Sequence, residues 1–286
     1  MPSTIDLRRR IRSTKNTQQI TKAMKMVSAA KLRRAQERMY AARPYASALR
    51  DTLSSVATRV DITKHPLLQA REVEQNILVL VVTADRGLCG AFNTNVLRAA
   101  QNAFAERAWP AVSILPIGRK ANDFFKRRDW PIRREATHVF QALTLETARE
   151  IAQAAIADFM SGEIDAVYVI YNEFKSVMAQ QIQVERLLPI EGAVDQTTST
   201  IDYLYEPGPE AILNELLPKH IEFQLFRVLL ESAAAEQGAR MTAMEAATKN
   251  ATEMISSLTL TYNRIRQAAI TKEIIEIVSG AAAAAG

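Results

Sequence analysis

Apolar residues recur at three- and four-residue intervals along both ends of the chain. From Leu32 the series is Leu32, Ala35, Met39, Ala42, Ala46, Leu49, Leu53, Val56, the alternating spacing of a left-handed coiled-coil seam. Ile20, Ala23, Val27 and Ala30 keep the same spacing in another phase, so the pattern predicts a seam that slips near residues 30–32. Ser3 or Thr4 can cap this first helix, with Asp6 near its positive end. Pro44 lies inside the run and is expected to kink it at most. Toward the other end, Met241, Met244, Thr248, Ala251, Ile255, Leu258, Tyr262, Ile265 and Ala269 repeat the pattern, with Thr248 as the one polar member.

At ~1.5 Å per residue, helices over 4–57 and 219–279 would run ~80 and ~90 Å, well beyond the ~30 Å of a small domain. Two such helices are expected to wind on each other, antiparallel, with both chain ends at one tip. That arrangement places the segment 20–30 beside 258–269. Ala-rich positions would let the backbones approach and form a thin rod.

Between the arms the pattern changes. Residues 67–209 hold six of the ten prolines and six of the nine glycines, whereas 3–57 contain only Pro44 and 219–279 only Gly238. Ile77–Thr83 is a continuous apolar run of strand length, as expected of a strand covered on both faces. Further strands are predicted at 112–117, 166–171 and 182–188. Helices are predicted at 93–108, 120–128 and 145–160, the last with Leu145, Ala148, Ile151, Ala152, Ala155, Ile156 and Phe159 on one face. Alternating strands and helices imply a mostly parallel sheet in three layers. The expected fold class is therefore α/β plus a long antiparallel coiled coil: N- and C-terminal helices forming a rod, and a central Rossmann-like domain. The expected divisions are 1–60, 61–209 and 210–286.

Composition sharpens this picture. The 286 residues carry a net charge of +5, but residues 1–50 hold thirteen Lys and Arg against Asp6 and Glu37, so this segment is +11 and the remainder −6. Such asymmetry points to an acidic partner. A basic coiled-coil nucleic-acid-binding protein is one alternative, which leaves the second arm and the α/β domain unexplained. Single Cys89 excludes an internal disulfide and a cysteine-cluster metal site. No apolar run approaches the ~20 residues of a membrane span. Three scattered histidines argue against a zinc site.

The turn Asp85-Arg86-Gly87-Leu88-Cys89-Gly90 follows the first strand, where an α/β fold could bind a nucleotide. It matches neither G-x-G-x-x-G nor G-x-x-x-x-G-K-[ST], and no lysine follows the glycines to reach a phosphate. Gly87 and Gly90 are read as allowing a tight strand-to-helix turn. Cys89 is read as a buried thiol, and Asp85 with Arg86 as a structural pair or interface contact. Glu273 and Glu276 read as part of a charged helix face. No catalytic constellation, cofactor site or metal site is expected.

Taken together, the segments resemble the gamma subunit of F-type ATP synthases. The stretch Ile11-Arg12-Ser13-Thr14-Lys15-Asn16-Thr17-Gln18-Gln19-Ile20-Thr21-Lys22-Ala23-Met24-Lys25-Met26-Val27 is similar to the family's first-helix signature. Asp85 to Gly90 with Asn93, and Tyr203-Leu204-Tyr205-Glu206-Pro207, resemble its central motif and its entry to the last helix. Ala239-Arg240-Met241, Arg266-Gln267-Ala268, Ile270-Thr271-Lys272-Glu273-Ile274 and Glu276-Ile277-Val278-Ser279-Gly280-Ala281 resemble its C-terminal signature. The resemblance begins near Ser3, which suggests a bacterial protein without a cleaved presequence.

That resemblance implies a non-catalytic rotor shaft that couples proton flow through a membrane c ring to rotational catalysis on beta subunits. Implied partners are the alpha and beta subunits, the epsilon subunit and the c ring, with no nucleic acid. The implied place is peripheral, on the cytoplasmic face of the bacterial plasma membrane. Lys22, Met24, Lys25, Arg33, Arg266, Gln267, Thr271 and Glu273 match positions that meet beta loops. Tyr203 and Glu206, with Arg43 and Tyr45, match the segment facing the c ring and epsilon. The small-residue end 281–285 suits a tip turning in an apolar sleeve.

Overall fold

A computed structural model describes residues 3–57, 65–71, 73–190 and 208–285. Its elements are α1 (Thr4–Ala57), β1 (Asn76–Val82), α2 (Phe92–Glu106), β2 (Ala111–Ile117), α3 (Arg119–Lys126), α4 (Leu145–Met160), β3 (Ala166–Phe174), β4 (Gln180–Leu188) and α5 (Pro209–Ala285). They divide into two compact units: Met1–Val27 with Met241–Gly286, and Ser28–Arg240. Both long helices contribute to each unit.

Ser3 caps α1 as the sequence suggests. Its Oγ accepts from the Asp6 backbone N–H at 3.1 Å and lies 2.9 Å from the Asp6 carboxylate. Helix α1 continues through Pro44. Helix α5 starts one residue before the expected division at 210, with Pro209 at its first position, where a missing N–H costs nothing, and it continues through Pro218.

In the first unit α1 and α5 are antiparallel, but not in the predicted register. Arg8 donates to the Tyr262 hydroxyl at 2.8 Å, Gln18 to Thr252 at 2.6 Å, and Lys25 to Glu245 at 2.6 Å. The Thr21 and Thr248 hydroxyls lie 2.8 Å apart. Residues 20–30 therefore begin opposite 250, not 258–269. The expectation aligned the two chain ends, whereas α5 overshoots the start of α1. From Arg266 to Ala281 every residue of α5 is exposed, Ala269 included.

The slip near residue 30 is also absent. The inward positions of α1 are Leu7, Ile11, Thr14, Gln18, Thr21, Lys25 and Ser28, and from there the spacing of three and four continues unbroken into Leu32. The middle of the seam is polar, so a search for apolar residues passes over it. The apolar set chosen instead points outward, with Ile20 60 % and Val27 56 % exposed.

In the second unit the sheet order is β2-β1-β3-β4, with β1 parallel to both neighbours and β4 antiparallel to β3. Alternate residues of β1 serve two cores. Ile77, Val79 and Val81 pack with Val96, Ala100 and Phe104 of α2 and Phe125 of α3. Leu78, Leu80 and Val82 pack with α4 residues Ile151, Ala155 and Phe159, and with Leu213, Leu217, Leu225 and Leu229 of α5. Helices thus cover both faces, which is why β1 reads as a continuous apolar run. Leu32, Met39, Leu49, Leu53 and Val56 of α1 are buried in this unit. Gly238 of α5 faces the β3–β4 turn, and a Cβ there would meet the Phe174 ring at 3.5 Å and the Val177 carbonyl at 3.7 Å, ordinary contact distances that an alanine would tolerate.

A partly buried ionic cluster joins β3 and β4 to α5. Arg227 donates to Glu185 at 2.6 Å and to Glu231 at 3.1 Å, and Tyr171 donates to Glu185 at 2.7 Å. Among the described residues the second Glu231 oxygen has no hydrogen-bond partner. Burial pushes the Glu231 carboxyl above the ordinary range, Arg227 opposes this, and Glu173 and Glu185 add to it. A raised carboxyl stabilises the fold most at low pH, and that contribution fades as pH rises through the folded value. Glu231→Gln should therefore gain stability relative to wild type as pH climbs above the usual glutamate range. Paired thermal melts in acidic and neutral buffer read this difference; a constant difference would show that folding leaves the Glu231 carboxyl unshifted.

Candidate partner-binding surfaces

The 85–93 turn is built for rigidity. Asp85 does not pair with Arg86; one of its oxygens accepts from the backbone N–H groups of Arg119 and His138, each at 3.0 Å. Asn93 accepts from the Ala84 N–H at 2.9 Å and places its amide 3.2 Å from the Cys89 sulfur. Cys89 is 1 % exposed, and burial raises its thiol pKa, the opposite of an activated nucleophile. Arg240 donates to the Gly87 carbonyl at 3.2 Å and pairs with buried Glu236 at 2.6 Å. The turn is thus clasped to α5 from inside.

Along the first unit a groove of about 640 Å³ is lined by Gln18, Lys22, Lys25, Met26, Glu245 and Lys249 among others. It brings together Lys22 and Lys25, and adds Lys249, which the sequence reading missed because it lies on the other arm. Only the register of the helices reveals that neighbourhood. Lys22 is exposed, whereas Lys25 is half-buried beside Glu245. Met24 is partly buried. Arg33 lies in the second unit, exposed and paired with Glu37 at 3.1 Å.

Arg266, Gln267, Thr271 and Glu273 all fall on the exposed end of α5. Arg266 lies over the Tyr262 ring at 5.9 Å, the ring that Arg8 also approaches at 5.7 Å. Arg8 holds the Tyr262 phenol below its usual pKa through their hydrogen bond. Ile270, Ile274, Ile275, Ile277 and Val278 are each about half exposed or more on this same stretch. Tyr45 is exposed, its ring 4.8 Å from that of Phe223. Tyr203 and Glu206 lie outside the described residues, as does the side chain of Arg43. Among the described residues no helix is long and apolar enough to cross a membrane.

A family model described as ATP synthase matches residues 3–284. The ATP synthase gamma chain of Chlorobaculum tepidum is 52 % identical over 288 residues, covering 98 % of each chain. That of Solibacter usitatus is 54 % identical and covers 99 % of this chain and all of its own. This chain belongs to the ATP synthase gamma chain family. Among solved structures, the central stalk and c ring of the Tetrahymena thermophila mitochondrial ATP synthase contains a chain that is 27 % identical, with a TM-score of 0.62, covering 80 % of this chain and 99 % of that one. A rotor chain of the Euglena gracilis enzyme is 20 % identical with a TM-score of 0.67, a likeness of fold. The gamma-chain relationship spans both long helices and the sheet, so the turn at 85–93 and the end of α5 are both within it.

Proposed function

We infer that this chain is the central rotor shaft of a proton-translocating ATP synthase and performs no bond chemistry itself. The observation that carries the reading is the end of α5. Residues 266–281 form a helix exposed all round, with five large aliphatic side chains among them. An unpaired helix with that much apolar surface is stable in water only inside a sheath. A surrounding ring of alpha and beta subunits supplies such a sheath, and small residues at 281–285 let its tip turn there.

In this reading the groove with Lys22, Lys25 and Lys249 meets acidic beta loops, as do Arg33, Arg266, Gln267, Thr271 and Glu273. Arg43, Tyr45, Tyr203 and Glu206 face the c ring and epsilon. The shaft would turn at the cytoplasmic face of the bacterial plasma membrane, held there through the c ring. The +11 segment answers acidic protein rather than nucleic acid, because most of its charge lies along one helix that already pairs with α5.

Lys22→Glu tests the contact cleanly, since Lys22 is exposed with no ion pair among the described residues. Stability should change by less than ~0.5 kcal/mol. Membrane vesicles carrying the variant should hydrolyse ATP with fewer protons pumped per ATP, because a new acid meets acids at some rotor angles. Lys25→Glu should add a structural loss of up to ~1 kcal/mol, since it sets like charges against Glu245. Unchanged pumping per ATP with Lys22→Glu would contradict the assigned contact.

A further inference from the structure

Helix α1 carries two faces with coiled-coil spacing, and the one turned inward is the more polar. Thr14, Gln18, Thr21, Lys25 and Ser28 follow Leu7 and Ile11 on the inner face, whereas Ile20, Ala23 and Val27, one position behind, are exposed. Apolar burial by itself favours the opposite choice, since that would cover two large aliphatic side chains and return an amide, two hydroxyls and an ammonium to water. Something other than apolar area therefore sets the phase of this helix.

The partners on α5 account for the choice. Gln18 meets Thr252 at 2.6 Å, Thr21 meets Thr248 at 2.8 Å and Lys25 meets Glu245 at 2.6 Å. As α1 advances from Gln18 to Lys25, α5 retreats by the same number of residues from Thr252 to Glu245, so the three layers share a single alignment. Thr14 joins it, with its hydroxyl 3.9 Å from the Met254 sulfur. The Thr21 and Thr248 hydroxyls also reach carbonyls of their own helices, Gln18 at 3.0 Å and Met244 at 2.7 Å, so the seam leaves neither without a partner. Turning α1 by one residue, about 100° around its axis, would lay Ile20, Ala23 and Val27 against α5 and strip Glu245, Thr248 and Thr252 of these contacts. That turn would also break the spacing before Leu32, which the observed phase keeps.

We propose that the polar layers Gln18–Thr252, Thr21–Thr248 and Lys25–Glu245 select the phase in which α1 packs on α5, against an apolar face of the same helix that competes for the seam. A polar contact inside a helical seam specifies one alignment at a cost in stability, because a wrong alignment leaves its members unpaired. The choice decides which side chains α1 turns outward, Ile20, Lys22 and Val27 among them. It concerns helix pairing alone and stands whether or not the chain turns as a rotor.

Disulfide trapping in the full-length chain, in a Cys89→Ala background, tests it. Thr14→Cys with Met254→Cys reports the observed phase. Ser13→Cys with Met254→Cys reports the rotated one, in which Ser13 joins the spacing of Ile20. With the layers intact, the Thr14 pair should close within one chain under mild oxidation, and the Ser13 pair at least roughly tenfold less. Replacing the three α5 partners together, Glu245→Met, Thr248→Val and Thr252→Val, should lower the ratio of Thr14 to Ser13 closure by at least roughly tenfold. Thr248→Val alone, one hydroxyl exchanged for one methyl, should already lower it roughly threefold. Adding Gln18→Leu, Thr21→Val and Lys25→Met to the α5 changes should restore the observed phase, because the inward face is then the more apolar one. An unchanged ratio in either α5 variant would overturn the proposal, as would a rotated phase that survives the added α1 changes. Loss of both closures in the triple variant would overturn it too, since the layers would then hold the helices together rather than choose between phases.

Discussion

Gly118→Ala should remove most of the stability of the central domain. Gly118 precedes α3 with φ of +92°, and an added Cβ would lie 2.0 Å from the Thr83 carbonyl oxygen and 2.8 Å from its carbon. Both are backbone atoms and cannot swing aside. Thr83 is itself fully buried; its N–H donates to the Ile117 carbonyl at 2.8 Å, and its hydroxyl accepts from the Ala121 N–H at 2.8 Å. Moving it breaks the link between the ends of β1 and β2 and uncaps α3. The expected loss is ~3–5 kcal/mol, against a total of about 5–15 kcal/mol for a domain. Gly87→Ala is the matched control, because a Cβ there meets only the flexible end of Lys120 at 4.0 Å. Urea midpoints and soluble yield read both: a near-normal Gly118→Ala would contradict the geometry.

Arg240→Met should be nearly as costly, for an electrostatic reason. Arg240 and Glu236 are 9 % and 6 % exposed, and Arg240 also satisfies the Gly87 carbonyl. Burial raises the Glu236 carboxyl and Arg240 counters it. Without the arginine an unpaired carboxylate remains in the interior, a loss of ~3–5 kcal/mol. Replacing both, with Glu236→Leu alongside Arg240→Met, should recover most of it, since a well-packed apolar pair is often as stable as a buried ion pair. The single variant should recover at low pH as Glu236 takes up a proton. A double variant no better than the single would place the cost in the lost Gly87 contact instead.

The sequence made the helices, the strands and the order of layers legible because each rests on a local period. β1 reads as buried on both faces because its six residues from Ile77 to Val82 are all apolar. The α5 seam was legible from Met241 to Ile265 because its members are large or regularly spaced. What escaped was pairing. Thr14, Gln18, Thr21 and Lys25 carry the α1 seam through hydrogen bonds to α5, so apolar periodicity there picked the outward phase. Register depends on which side chains meet across 220 or more residues of chain, and no local pattern encodes it. As a result Leu258 and Ile265 are only partly buried, and acids at these positions should cost less than in a closed core. The same limit hid Lys249 beside Lys22, and Arg240 beside Gly87. Asp85, read with Arg86 as a structural pair or an interface contact, instead accepts from backbone N–H groups 34 and 53 residues away, which no local pattern shows.

Rotation itself is the most direct test of the shaft. Met178, in the β3–β4 turn, is 82 % exposed and takes a label without disturbing packing. In a Cys89→Ala background, Met178→Cys carries a bead while the alpha and beta ring of the assembled complex is fixed to a surface. On adding ATP, the bead should turn continuously in one direction, at a rate that follows hydrolysis. A bead that stays fixed while the same complexes hydrolyse ATP would contradict the central claim.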